Sequence, residues 1–87
     1  MIDLNRAVAV SIADGPAVAL PLVDALAADG ALAGYHPLPA VRGDLLSRLG
    51  RHAEAAAAFR EAASLTRNAR EQAQLETRAA ECALKAT

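Results

Sequence analysis

The chain has 87 residues, room for one small domain, and a formal net charge of −1 with acids and bases interspersed, which leaves no basic stripe for autonomous nucleic-acid binding. Apolar residues make up 54% of it, largely alanine, with Phe59 and Tyr35 as the only aromatics; this mixture suits closely packed helices and argues against a β-sandwich core. The single Cys82 excludes an internal disulfide and a Cys-based metal pair, no apolar run approaches the roughly 20 residues that span a bilayer, and no charged-then-apolar leader opens the sequence, so the expected compartment is the cytoplasm.

Apolar periodicity and turn residues predict an all-α chain of about five helices. The first, over 2–13, brings Leu4, Val8, Ser11 and Ile12 near one face, with Asp3 placed to cap it. Gly15 ends it, and Pro16 suits the first turn of the next. The second helix, over 16–28, stacks Ala19, Leu22, Val23, Leu26 and Ala27, with Pro21 as a point of kinking or delayed start. Asp29-Gly30 closes it. Pro37 and Pro39 restrict the residues before them, so the third helix is expected over 37–49, with Leu38, Val41, Leu45 and Leu49 inward. Gly50 precedes the fourth, over 52–66, which stacks Ala55, Ala58, Phe59, Ala62 and Leu65. The fifth, over 69–84, opens with Asn68-Ala69-Arg70-Glu71, the pattern of a capping box. Its inner stripe is Leu75, Ala79, Cys82 and Ala86, with Glu81 and Lys85 as an outer i,i+4 pair. Short turns between helices imply antiparallel hairpins, two of them, covered at the end by the fifth helix.

Gly15 and Gly50 lie 35 residues apart in similar settings, near the period of about 34 residues of tetratricopeptide (TPR) repeats. Gly50-Arg51-His52-Ala53-Glu54-Ala55, then Phe59 and Ala62, resembles the second half of such a repeat, and Gly43 falls at that pattern's small position in the preceding helix. The first repeat is more degenerate, with Leu20 and Asp24 at the small and aromatic positions. The resemblance implies a TPR-like stack of two degenerate repeats plus a capping helix.

A narrower resemblance covers most of the chain. Leu4-Asn5-Arg6-Ala7-Val8-Ala9, Asp14-Gly15-Pro16, Leu22-Val23-Asp24-Ala25-Leu26, Leu32-Ala33-Gly34-Tyr35-His36 and Asp44-Leu45-Leu46-Ser47-Arg48-Leu49-Gly50-Arg51 are similar to the C-terminal extension of bacterial extracytoplasmic-function (ECF) RNA polymerase sigma factors. That resemblance implies a regulatory tail in transcription initiation. Its partners would be proteins: the sigma regions of a parent chain or core RNA polymerase. The other reading, from the residues alone, is a free-standing scaffold or oligomerisation module that binds a peptide, since two repeats leave open apolar edges for weak self-association.

No arrangement of residues points to catalysis or to a cofactor. His36 and His52 lack a second ligand at metal spacing, Cys82 lies on an inner stripe, and the glycines form no phosphate-binding loop. The chain is therefore expected to be no enzyme. Partner contact is expected on the first helix of each hairpin. Aligning the two glycines maps Asn5, Ala9 and Ile12 onto Ala40, Asp44 and Ser47, so Asn5, Arg6, Asp44 and Arg48 form a polar strip; His36 either caps the third helix or joins Tyr35 in a loop site. The alternative for the strip is an interhelical salt bridge, Arg6–Asp44 or Arg48–Asp44, or plain solvated surface.

Overall fold

A computed structural model describes residues 3–86. Five α-helices, and no strand among the described residues, follow in the order α1 (Leu4–Asp14), α2 (Pro16–Asp29), α3 (Pro37–Arg48), α4 (His52–Leu65) and α5 (Ala69–Lys85). Each packs chiefly on its neighbours in sequence: α1 on α2, α2 on α3, α3 on α4, α4 on α5. The result is an all-α fold of helical hairpins.

The helix ends follow from local chemistry. Asp3 accepts the Arg6 amide at 2.8 Å, the N-cap bond the sequence implies; its neighbours Met1 and Ile2, where the first helix was expected to begin, lie outside the described residues. α3 ends in a Schellman turn: the Arg51 amide reaches the Leu46 carbonyl at 2.9 Å and the Gly50 amide reaches Ser47 at 3.1 Å. That turn requires the left-handed φ of +79° at Gly50, which a glycine adopts without a Cβ clash. α2 runs through Pro21 without a break, and Pro21 faces solvent.

The capping box at α5 is half formed. Asn68 accepts from the amides of Arg70 and Glu71 at 2.9 and 3.1 Å. Glu71 does not reach back, because the Asn68 amide already donates to Thr66 Oγ1 at 3.2 Å. The Glu71 carboxylate instead accepts from the Thr66 hydroxyl at 3.0 Å and pairs with His36. Asn68→Ala is expected to lower stability by about 1 kcal/mol, read as a lower urea midpoint with an unchanged slope.

Burial corrects the expected faces of all five helices. On α1 the inner residues are Ala7 and Ser11, supported by Leu4 and Val10, while Ile12 is 79% exposed. Ala7 has no side chain beyond Cβ, so α1 approaches α2 on that side and the helix turns Ile12 outward. The buried Ser11 is satisfied by its own helix, donating to Val8 O at 2.6 Å. The middle of the chain is more buried than one stripe per helix implies. α3 buries Pro39, Gly43 and Leu46 as well as Leu38 and Leu45, and α4 buries Ala56 and Ala63 as well as Ala55, Ala58, Phe59 and Ala62. Each lies between two partners, so each buries two faces. On α2, Leu20 is buried and Ala27 is exposed; on α5, Ala79 and Cys82 are inside and Ala86 is outside.

The core centres on Phe59, which is fully buried. A Cβ built on Gly43 would stand 2.9 to 3.0 Å from three atoms of the Phe59 ring. The absent side chain in α3 is therefore the slot that holds the ring of α4.

Candidate interaction groove

A groove runs along α1, α3 and α5, on the side away from the α2 and α4 packing. Two adjoining concavities of about 290 and 310 Å³ share Ala40, Val41 and Arg78. The first lies between the start of α3 and α5, reaching His36, Glu71, Gln74 and Leu75. The second lies between α1 and α3, reaching Val8, Ile12, Asp44 and Arg48. α1 and α3 touch only lightly, which leaves this side open.

Arg78 stands at the junction. Its guanidinium donates to Asp44 Oδ1 at 3.1 Å and lies over the Phe59 ring, 4.4 Å from the centroid. Asp44 in turn accepts from Arg48 on its other oxygen at 3.0 Å. One carboxylate thus holds two guanidiniums, one from its own helix and one from α5. Both arginines keep about half of their side-chain surface in solvent (52% and 48%), so the cluster offers cationic donors to a partner while its carboxylate is occupied. Each exposed pair contributes about 0–1 kcal/mol to folding, and the Arg78–Phe59 stack about 0.5–1 kcal/mol. At the far end His36 Nε2 lies 3.3 Å from Glu71 Oε2 and joins the turn before α3 to α5.

The expected site residues are distributed unevenly over this surface. Asp44, Arg48 and His36 line the groove. Tyr35 is 49% exposed at its edge, its ring 6.5 Å from that of His36. Asn5 is exposed, on the α1 stripe that continues through Val8 and Ile12, one turn beyond the groove lining. Arg6 is turned away from that stripe by about 100°. Of the two salt bridges weighed for Asp44, Arg48–Asp44 forms; the other bridge to Asp44 comes from Arg78 and not from Arg6. Sequence reasoning missed Arg78, Val41, Gln74 and Leu75. A signal was available: Asp44 and Arg78 are 34 positions apart, and the same step from Ala40 and Val41 lands on Gln74 and Leu75. α5 therefore continues the pattern of α3 and contributes to the groove besides closing the core.

Arg42 Nε donates to Asp24 at 2.8 Å and ties α3 to α2. His52, the first residue of α4, is half-buried, and its Nδ1 has no hydrogen-bond partner. The Cys82 thiol is buried and lies 3.9 Å from Ser47 Oγ. Among the described residues no group of three His, Cys, Asp or Glu side chains is placed to hold a metal ion, and no helix is long and apolar enough to cross a membrane.

No family model and no solved structure matches the chain. It is similar to an uncharacterized protein of Rhizobium meliloti (strain 1021), with 47% identity over 73 residues. That match takes in 84% of this chain but 17% of the relative. The chain thus spans about a sixth of the length of the curated relative it matches.

Proposed function

We propose that this chain is a protein-interaction and regulatory domain, the TPR-like C-terminal part of an ECF-type sigma factor, which modulates transcription initiation by contacting the sigma regions or core RNA polymerase. The observation that carries the reading is the groove on α1, α3 and α5. It combines apolar positions with the exposed guanidiniums of Arg48 and Arg78, a surface suited to a peptide segment with a carboxylate and small apolar side chains. The similarity of Leu4–Ala9, Leu22–Leu26 and Asp44–Arg51 to sigma-factor tails supplies the transcriptional context. The long relative supports a module attached to other polypeptide, because there the matched segment is a small part of the chain. No arrangement of nucleophile, base and orienting group accompanies the groove, and the proposal is of a binding domain and not an enzyme. The cytoplasm is the compartment this role requires.

Two measurements test it. With purified sigma regions or core polymerase immobilised, the chain is expected to bind, and Arg78→Glu to weaken binding at least about tenfold while helix content by circular dichroism is kept. Binding that is indifferent to Arg78→Glu would remove the groove from the account. Deleting the segment from a sigma factor that carries it, and measuring promoter-specific transcription, tests the regulatory role; unchanged output would sink it. The alternative, a free-standing scaffold or weakly oligomerising module, draws on the exposed Ile12 at the groove margin. Light scattering distinguishes it, through a mass that rises with concentration.

A further inference from the structure

The first hairpin carries a second concavity, separate from the groove. It lies between the start of α1 and the end of α2, floored by Leu22, Ala25, Leu26 and Leu32 and flanked by Asp3 and Asp29. The three leucines pack against the core, yet each keeps part of its surface open. A side chain the size of leucine can therefore add to this floor without displacing anything from the interior.

The rim has a definite sign. The lining carries two carboxylates, Asp3 and Asp29, and no base among the described residues; over residues 3–29 as a whole, four carboxylates stand against the one guanidinium of Arg6, with Asp14 at the far end of α1. Asp24 is partnered by Arg42. Among the described residues neither Asp3 nor Asp29 pairs with a basic side chain; Asp3 accepts from the Arg6 backbone amide. Residues 30–86 hold eight bases and six acids, so the acidic excess is confined to this hairpin. An apolar floor flanked by two carboxylates disfavours an acidic partner and attracts a cationic one.

We propose that this concavity docks a basic amphipathic helix of a protein partner, with apolar side chains seated on Leu22, Leu26 and Leu32 and Lys or Arg side chains at Asp3 and Asp29. A helix meets the requirement because residues three and four apart share a face, which delivers an apolar anchor and flanking cations together. A second copy of this chain fits less well, since a two-fold contact between two such hairpins brings like charges together. The surface is distinct from the groove, and the inference stands or falls separately from the function proposed above.

The probe is a fluorescent synthetic helix of about 18 Leu and Lys residues, titrated with the 87-residue chain by anisotropy and mapped by amide chemical shifts. Binding is expected to weaken as salt rises from about 0.05 to 0.15 M, with shifts centred on Leu22, Leu26 and Leu32. Asp3→Asn with Asp29→Asn is expected to weaken it about tenfold; asparagine keeps the cap at position 3, so the fold is retained. The same peptide with Glu for Lys is expected not to bind. Shifts centred on Asp44 and Arg78, binding indifferent to the double substitution, no binding at all, or a dimer that buries the same leucines would each overturn the proposal.

Discussion

Phe59→Ala is expected to cost about 3–5 kcal/mol of folding free energy, the range for emptying an aromatic from a packed core. The site meets the conditions for the upper part of that range. Phe59 is fully buried and is the largest fully buried side chain among the described residues. It sits on α4, which packs against both α3 and α5, so the cavity would open between three helices. The neighbouring side chains at α4 are alanines, too short to move into the space. A domain of this size has a total stability near the lower end of the usual range of about 5–15 kcal/mol. The variant is therefore expected to be largely unfolded at 37 °C, seen as loss of cooperative thermal unfolding by circular dichroism. Phe59→Leu retains much of the volume and is expected to fold with a lower midpoint. It would also withdraw the ring beneath Arg78 and loosen the groove's central cation without emptying the core.

Gly43→Ala is the second large effect, and its sign depends on the ring. In a solvent-facing helix interior this change would stabilise by about 1 kcal/mol through helix propensity. Here the new Cβ would stand 2.9 to 3.0 Å from three atoms of the Phe59 ring. A buried ring packed on all sides cannot step aside, and the overpacking cost of about 1–3 kcal/mol outweighs the gain. Gly43→Ala is therefore expected to destabilise the chain with Phe59 present. In a Phe59→Leu background the smaller side chain relieves the clash, and the same substitution is expected to be neutral or stabilising. A double-mutant cycle in urea reads this directly as a coupling between the two positions. Additive effects would mean that α3 and α4 can slide apart to admit the methyl group.

The helix ends were legible because they depend on local chemistry. Gly15, Gly30 and Gly50, Pro16 and Pro37, and the caps Asp3 and Asn68 act within a few residues of where they stand. The faces were less so. A single apolar stripe describes a helix with one partner, and α3 and α4 have two, which is why Leu46, Pro39, Ala56 and Ala63 escaped it. On α1 the stripe favoured Ile12 by hydrophobicity, whereas close approach selected Ala7 by size. For the groove, Asp44 and Arg48 follow from repeat alignment, and His36 from its place beside Tyr35 and before Pro37. Arg78 lies one further repeat step of 34 positions from Asp44, on a helix whose stripe reads as a cap for the core. Its contribution rests on the long-range ladder from α3 to α5, carried by Asp44–Arg78 and His36–Glu71.

The large buried side chains are unequally shared. Phe59, Leu45 and Leu46 belong to α3 and α4, while the first hairpin contributes Val23. That hairpin is fastened to the remainder through α2 against α3, the Arg42–Asp24 pair, and a slight touch of α1 on α3. A hairpin with only one large, fully buried side chain among the described residues has less free energy to lose when it separates from the rest. The molecule is thus a firm C-terminal trio carrying a looser N-terminal pair. That pair is therefore expected to open before global unfolding, with the angle at which α1 meets α3 as the soft coordinate. A ligand in the groove would tighten it, and the energy to do so would come from binding and not from folding.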